Sequence, residues 1–372
     1  MNMKQWNLLA KAKFQSSISH NVGKQLPWKL HHTFYFLLFC FLLSPTVATA
    51  TDITEQLHRP SINGKVLLKS RDEADTLLRL GERQNIEGNP DKAVKSLLQA
   101  LEIYHSIGDL NALGLTYEFL GKGYIQLKQY KKAEDAIRRR LAIARDTKDF
   151  QSQIFALNNI GTLLLQKGEF RTASQTFEQA FRIAQNLNSN EGYGLSLSNL
   201  GLAAARLGDY NKAVKLYKNA LNYRRQVDDP IGEANTLNNL GEAYSAVGTY
   251  QDTIGTYGTA LRIAKTARDN LNQLRAIDGL VTAHSSVGRY NRTFDLLEKR
   301  LAIAKELRSP QEELNTFESY AQLYEKLGNY STAGNFYERA ITLAKTLEDT
   351  RKEVLLRDRV TQMMKKNPMS KK

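Results

Sequence analysis

Three short strings carry the side chains best placed to do chemistry: ALNNIG holds Asn158 and Asn159, SLSNLG holds Asn199, and TLNNLG holds Asn238 and Asn239, with Asn235 one helical turn earlier. Asn159, Asn199 and Asn239 fall in one register, 40 residues apart. A primary amide offers two donors and an acceptor, so a row of amides can bridge both the N–H and the C=O of an extended peptide without demanding a sequence. The same groups can instead bond neighbouring helices and order a stack. Asparagine is a mediocre helix former, so its recurrence requires a benefit under either reading.

Other chemistry is sparse. The only cysteine is Cys40, so a chain cut after residue 50 has no disulfide, thiolate metal site or thiol nucleophile. No phosphate-binding glycine loop, zinc-ligand pair or nucleophile elbow is present. Beyond residue 50 the histidines are His58, His105 and His284, and the last shares a column with Tyr124, Leu164 and Tyr244, which predicts a packed core residue. Glu118, Glu242, Asp278 and Glu318 lie on first-helix faces of different repeats, where solvated charges are the simpler reading than a hard-cation site. Arg138, Arg139 and Arg140, and Tyr223, Arg224 and Arg225, are expected on a solvated outer face, being too short to form a nucleic-acid patch.

Lys and Arg total 52 against 38 Asp and Glu, yet the first 50 residues hold five lysines and no acid, and the stretch from Lys365 adds four more lysines. The basicity therefore sits at the ends, which disfavours a nucleic-acid-binding body. Residues 34–43 read FYFLLFCFLL, with lysines before and SPTVATA after. That pattern predicts a secretory signal peptide over residues 1–50, cleaved after Ala48 and Ala50 to leave Thr51 first, with an uncleaved anchor as the alternative. The apolar run is shorter than the roughly 20 residues an ordinary membrane span needs.

The elements that position the asparagines come from a repeat. From residue 71 a pattern recurs every 40 residues, marked by glycine at 88, 168, 208, 248, 288 and 328, with Lys128 the exception. Small residues (Gly81, Gly121, Gly161, Gly201, Gly241, then Val281 and Ala321) and large ones (Leu97, Ile137, Phe177, Tyr217, Tyr257, Leu297, Tyr337) keep fixed offsets through seven units. Leu157, Ile160 and Leu164 trace the stripe of an amphipathic helix. At 100° per residue, Asn158, Asn159 and Thr162 then turn outward. A second helix is expected from Arg171 to about Gln185, with Ala173, Phe177, Ala180, Phe181 and Ala184 inward. Such pairs bury their apolar faces only by stacking, which predicts an all-α solenoid. Val281 departs from that small column and Thr293 from a second one (Ala93, Ala133, Ala173, Ala213, Thr253, Thr293, Ala333), so the sixth unit is expected to pack more loosely.

This spacing resembles the tetratricopeptide repeat in its 40-residue form, over residues 71–348. The resemblance implies a right-handed superhelix of seven helix pairs, with residues 51–70 a linker or N-terminal cap and 349–372 a capping helix and basic tail. It also implies that the outer faces of the first helices line a concave groove. The LNNLG strings are similar to kinesin-light-chain-type repeats, whose matching asparagines hold cargo peptides; Asn159, Asn199 and Asn239 are the positions this transfers to. Asn158, Asn235, Asn238 and Lys122 complete the expected groove, although the lysine and asparagine set of chaperone-binding repeats is incomplete.

The expected protein is thus an exported scaffold or adaptor. It binds a partner protein or peptide, extended or helical, without catalysis, cofactor, metal or nucleic acid. An exported, cysteine-free array of this length is also similar to the processing-associated repeat proteins of cyanobacteria. That likeness implies a periplasmic photosystem II assembly factor with a metal-delivery role and association with a membrane complex. A structural envelope component docking by its convex face is a further alternative.

Overall fold

The computed structural model describes residues 64–366; the segment read as a signal peptide lies outside them. Fifteen helices follow in the described residues. They are α1 (Gly64–Ile86), α2 (Pro90–Ile107), α3 (Leu110–Gln126), α4 (Tyr130–Asp146), α5 (Phe150–Gln166), α6 (Phe170–Leu187), α7 (Asn190–Arg206) and α8 (Tyr210–Gln226). The series continues with α9 (Pro230–Ala246), α10 (Tyr250–Thr266), α11 (Asn270–Ser286), α12 (Tyr290–Glu306), α13 (Pro310–Lys326), α14 (Tyr330–Thr346) and α15 (Thr350–Lys366). Each packs on the next, giving seven pairs and a last unpaired helix, the solenoid expected from the repeat. Among the described residues no helix is long and apolar enough to cross a membrane.

Local sequence sets the boundaries. Asp109, Asp149, Ser189, Asp229, Asp269 and Ser309 each accept a hydrogen bond from the backbone N–H three residues on, capping the first helix of a unit. Pro90, Pro230 and Pro310 open helices where no N–H is required. After α5 the chain turns at Gly168 with φ +81°, and Lys128 makes the equivalent turn at φ +58°. A Cβ in that left-handed region costs about 1–2 kcal/mol.

Within a unit, the small and large columns meet. A methyl group placed on Gly161 would overlap the Phe177 ring, and one on Gly201 would stand 2.6 Å from the Tyr217 ring. Glycine thus lets the aromatic lie flat against the partner helix, and Phe177 and Tyr217 are buried. On the second helices Ala173, Ala180 and Ala184 are fully buried, as the periodicity predicts, whereas Phe181, also expected inward, is half-buried and packs against Tyr193.

First helices also touch one another directly along α5, α7, α9 and α11, so these units close up on the first-helix side, which is therefore the concave side. The closeness lapses at the sixth unit. Of the pairs from α3 to α14, α11 and α12 approach least, and α12 to α13 is the least intimate junction between units. At the end of the array α15 buries Leu356 and Met363 against its predecessor. On its open side Arg357, Asp358 and Thr361 stand in the columns of Leu157, Asn158 and Gly161, alongside the exposed apolar side chains of Val354 and Met364.

Candidate functional site

The asparagines divide. Asn159 and Asn235 are exposed and Asn199 is half-buried, whereas Asn158, Asn238 and Asn239 are buried at 1%, 0% and 6% exposure. The expectation that Asn158, Asn238 and Asn239 face open solvent is therefore corrected. Asn158 Nδ2 donates to Ile154 O (2.8 Å) and Ser196 Oγ (3.0 Å), and its Oδ1 accepts from Asn199 Nδ2 at 2.8 Å, tying α5 to α7. Asn238 Nδ2 donates to the backbone and side-chain oxygens of Asn272, tying α9 to α11. Asn239 Oδ1 accepts from Arg275 Nη2 at 2.7 Å while its Nδ2 donates to Asn235 Oδ1. The physical reason is the stack: the flank of a first helix that is open in a lone helix pair is covered by the next first helix. Buried amides there find partners in the neighbouring first helix, with Asn238 Oδ1 the exception. Lys122 is exposed and pairs with Glu118 one turn earlier at 3.1 Å.

The arginine clusters divide as well. Arg138 and Arg139 lie on the surface, paired with Glu134 and Asp135 at 2.8 and 2.9 Å. Arg140 and Arg224 do not lie on a solvated face. Arg224 is buried against Gly194 and pairs with Asp229. Arg140 reaches Ser152 and stands 3.5 Å from Asp149 and 3.9 Å from Glu118.

Sequence reasoning missed a column. Ala100, Ala180, Ala220, Ala260 and Ala340 are fully buried at one phase of the second helix, and Arg140 and Arg300 replace alanine there. Arg300 is 4% exposed in its side chain. Its Nε and Nη2 grip Asp278 at 2.6 and 3.1 Å, Nη2 also meets Glu312 Oε2 at 3.0 Å, and Nη1 donates to Glu312 O and Thr316 Oγ1. Burial disfavours its charge, and hydrogen bonding to Asp278 with the attraction of Asp278 and Glu312 more than offsets this, holding the guanidinium above its ordinary pKa. The two arginines sit at the joints that bound the stretch of direct first-helix contact. Both joints open as clefts on the first-helix side. One, of about 110 Å³, lies between α3 and α5 and is lined by Lys122, Ile125, Phe155 and Asn159 over Arg140. The other, of about 530 Å³, lies between α11 and α13 and is lined by Asp278, Ser285, Asn315, Gln322 and Lys326 over Arg300. A third, of about 510 Å³, joins α9 to α11 beside Glu242 and Arg275.

These clefts and the exposed asparagines share one surface, where groups can hydrogen-bond and pack against a bound chain. No group of three or more His, Cys, Asp or Glu arranged to hold a metal is found among the described residues. His284 is buried at 8% exposure, as its column predicts, and burial together with nearby Arg289 and Arg292 lowers its pKa.

Comparison with solved structures gives the apo form of the quorum sensor NprR from B. thuringiensis (TM-score 0.60, 15% identity, 91% of this chain and 94% of that chain). The apo form of RapI is also similar (0.57, 16%, 74% and 99%), as is a Rap protein complexed with competence and sporulation factor (0.53, 14%, 81% and 98%). At these identities the likeness establishes the fold. Comparison with curated proteins gives no sequence match. The tetratricopeptide repeat family matches residues 72–146, 152–226 and 194–266, and a second form of the repeat matches 316–351. With the matched segments spanning more than half of the sequence and the helix pairs they require in place, this chain belongs to the tetratricopeptide repeat family.

Proposed function

We propose that this protein is an exported, non-catalytic adaptor that holds a segment of a partner protein along the concave face of its first helices. The observation that carries the reading is the alignment on that face of three clefts with the exposed amides of Asn159 and Asn235 and the ammonium of Lys122. The complex of a Rap protein of the same fold with competence and sporulation factor supports a binding role. Export rests on the apolar run at 34–43 and the small residues Ala48 and Ala50.

Site-specific photocrosslinking tests the face. A crosslinker at position 159 or 235 is expected to capture the partner in cells, and one at Arg138 on a second helix is not. Capture only from Arg138 would move the interface to the convex side and overturn the reading.

A further inference from the structure

A further cleft, of about 710 Å³, lies at the joint between the first and second units, among α1, α2 and α3. Two residues lining it break the repeat. Tyr104 on α2 stands in a column that otherwise reads Ala144, Ala184, Arg224, Ala264, Ala304 and Ala344, and it is fully buried. Asp75 on α1 stands in the first-helix row of Leu115, Phe155, Leu195, Asn235, Arg275 and Asn315, where no other unit carries an acid. The two departures meet: the Tyr104 hydroxyl donates to Asp75 Oδ1 at 2.6 Å. Burial, and then the hydrogen bond to Asp75, hold the phenol above its ordinary pKa, so it remains a donor at neutral pH and orients the carboxylate. Alanine suffices for stacking at this position in five other units, whereas the hydroxyl serves the acid.

The other charges of the cleft are spent on each other. Arg71 Nη2 meets Asp109 Oδ2 at 2.9 Å, and Asp109 Oδ1 accepts from the backbone N–H of Ala112. Among the described residues Asp75 has no ion pair, and Tyr104 is its one hydrogen-bond donor. With Asp75 and Asp109 set against Arg71, one negative charge is left uncompensated. The walls beside it are apolar: Leu78 and Ile107 are half-buried, and Leu115 is 38% exposed. An oriented carboxylate in an apolar-walled cleft matches a cationic head on a methylene stem, which packs along the walls while its charge reaches the acid.

We infer that this cleft anchors one basic side chain, lysine or arginine, of the partner segment, with Asp75 as its counter-ion and Tyr104 as the residue that positions Asp75. The inference rests on the groove reading and deepens it by naming one feature the partner carries.

The test pans a phage-displayed library of random heptapeptides on the full chain and on its Asp75→Asn variant. Asparagine keeps an oxygen for Tyr104 and removes the charge. Lysine or arginine is expected at one fixed place in the peptides selected by the unaltered protein and not in those selected by the variant. The tightest peptide is then synthesised with norleucine, an uncharged side chain with a similar stem, at that place. This replacement should weaken binding to the unaltered protein at least about tenfold, and to Asp75→Asn less than about twofold. A merely structural role for Asp75 would instead weaken both peptides alike. Tyr104→Phe keeps the ring and should weaken the basic peptide more than the norleucine peptide. Arg71→Ala removes the cation nearest the anchor, so it should tighten the basic peptide and leave the norleucine peptide unchanged, the opposite sign from a folding defect. Selected peptides without a basic residue, equal binding of the two peptides to the unaltered protein, or a tenfold difference that survives Asp75→Asn would overturn the anchor. The groove reading has its own readout: partner capture from positions 159 and 235 would sustain it even then, and capture only from Arg138 would remove both.

Discussion

At the scale of single residues, neighbours in sequence have opposite duties. Asn158 is enclosed and bonds Ser196 and Asn199, whereas Asn159 is exposed. Asn158→Ala strands those partners and is expected to lower stability by about 1–3 kcal/mol. Asn159→Ala is expected to leave the melting temperature unchanged or slightly raised, since alanine is the better helix former, while weakening capture of the partner. Paired thermal melts check the contrast, and equal losses from both changes would return Asn159 to a structural role. His284 supplies a pH dependence. Its folded pKa lies below the ordinary 6.5, so on acidification the unfolded chain takes up the proton first. The stability tied to this group is present above about pH 6.5 and is lost as pH falls through the folded value. His284→Tyr, the residue type found in that column at Tyr244 and Tyr324, should flatten the decline in melting temperature between about pH 7 and 5.

At the scale of elements, the joint between the sixth and seventh units, like that between the second and third, is held by an arginine where the other units have a buried alanine. Where Ala180, Ala220 and Ala260 let helices close up, Arg300 fills the space and bonds Asp278, Glu312 and Thr316. Arg300→Ala restores the common residue of the column yet leaves two carboxylates without their partner. It is expected to destabilise by about 2–3 kcal/mol, less than a fully buried pair because Asp278 is half exposed. Adding Asp278→Asn should recover part of the loss, and a stabilised single variant would show that the arginine is merely tolerated. Contacts in a solenoid are between neighbours, so stability is local. Amide exchange should therefore be fastest in residues 269–308, where α11 and α12 pack least closely, and greatest protection there would contradict the packing argument.

At the scale of the whole molecule, the proposed export has a direct measurement. N-terminal sequencing of the protein recovered from its host should begin at Thr51, and an intact Met1 form in the cytosol would remove the compartment from the proposal. Location also bears on the partner, because an adaptor that works outside the cytosol meets partners there.

The sequence by itself determined the repeat length, the helix pairs, the glycine against aromatic packing of Gly161 on Phe177, and the burial of His284. All of these follow from local periodicity and from which side chains fit beside a glycine. Tertiary structure alone decided the burial of Asn158, Asn238 and Asn239. Helical phase separates the side of a helix that faces its own partner from the side that does not, but stacking closes a further flank that one unit cannot reveal. The arginines tell the same story. Arg140 reads as a surface charge in the run Arg138, Arg139, Arg140, and only the column shared with Arg300 and the buried alanines places it between helices.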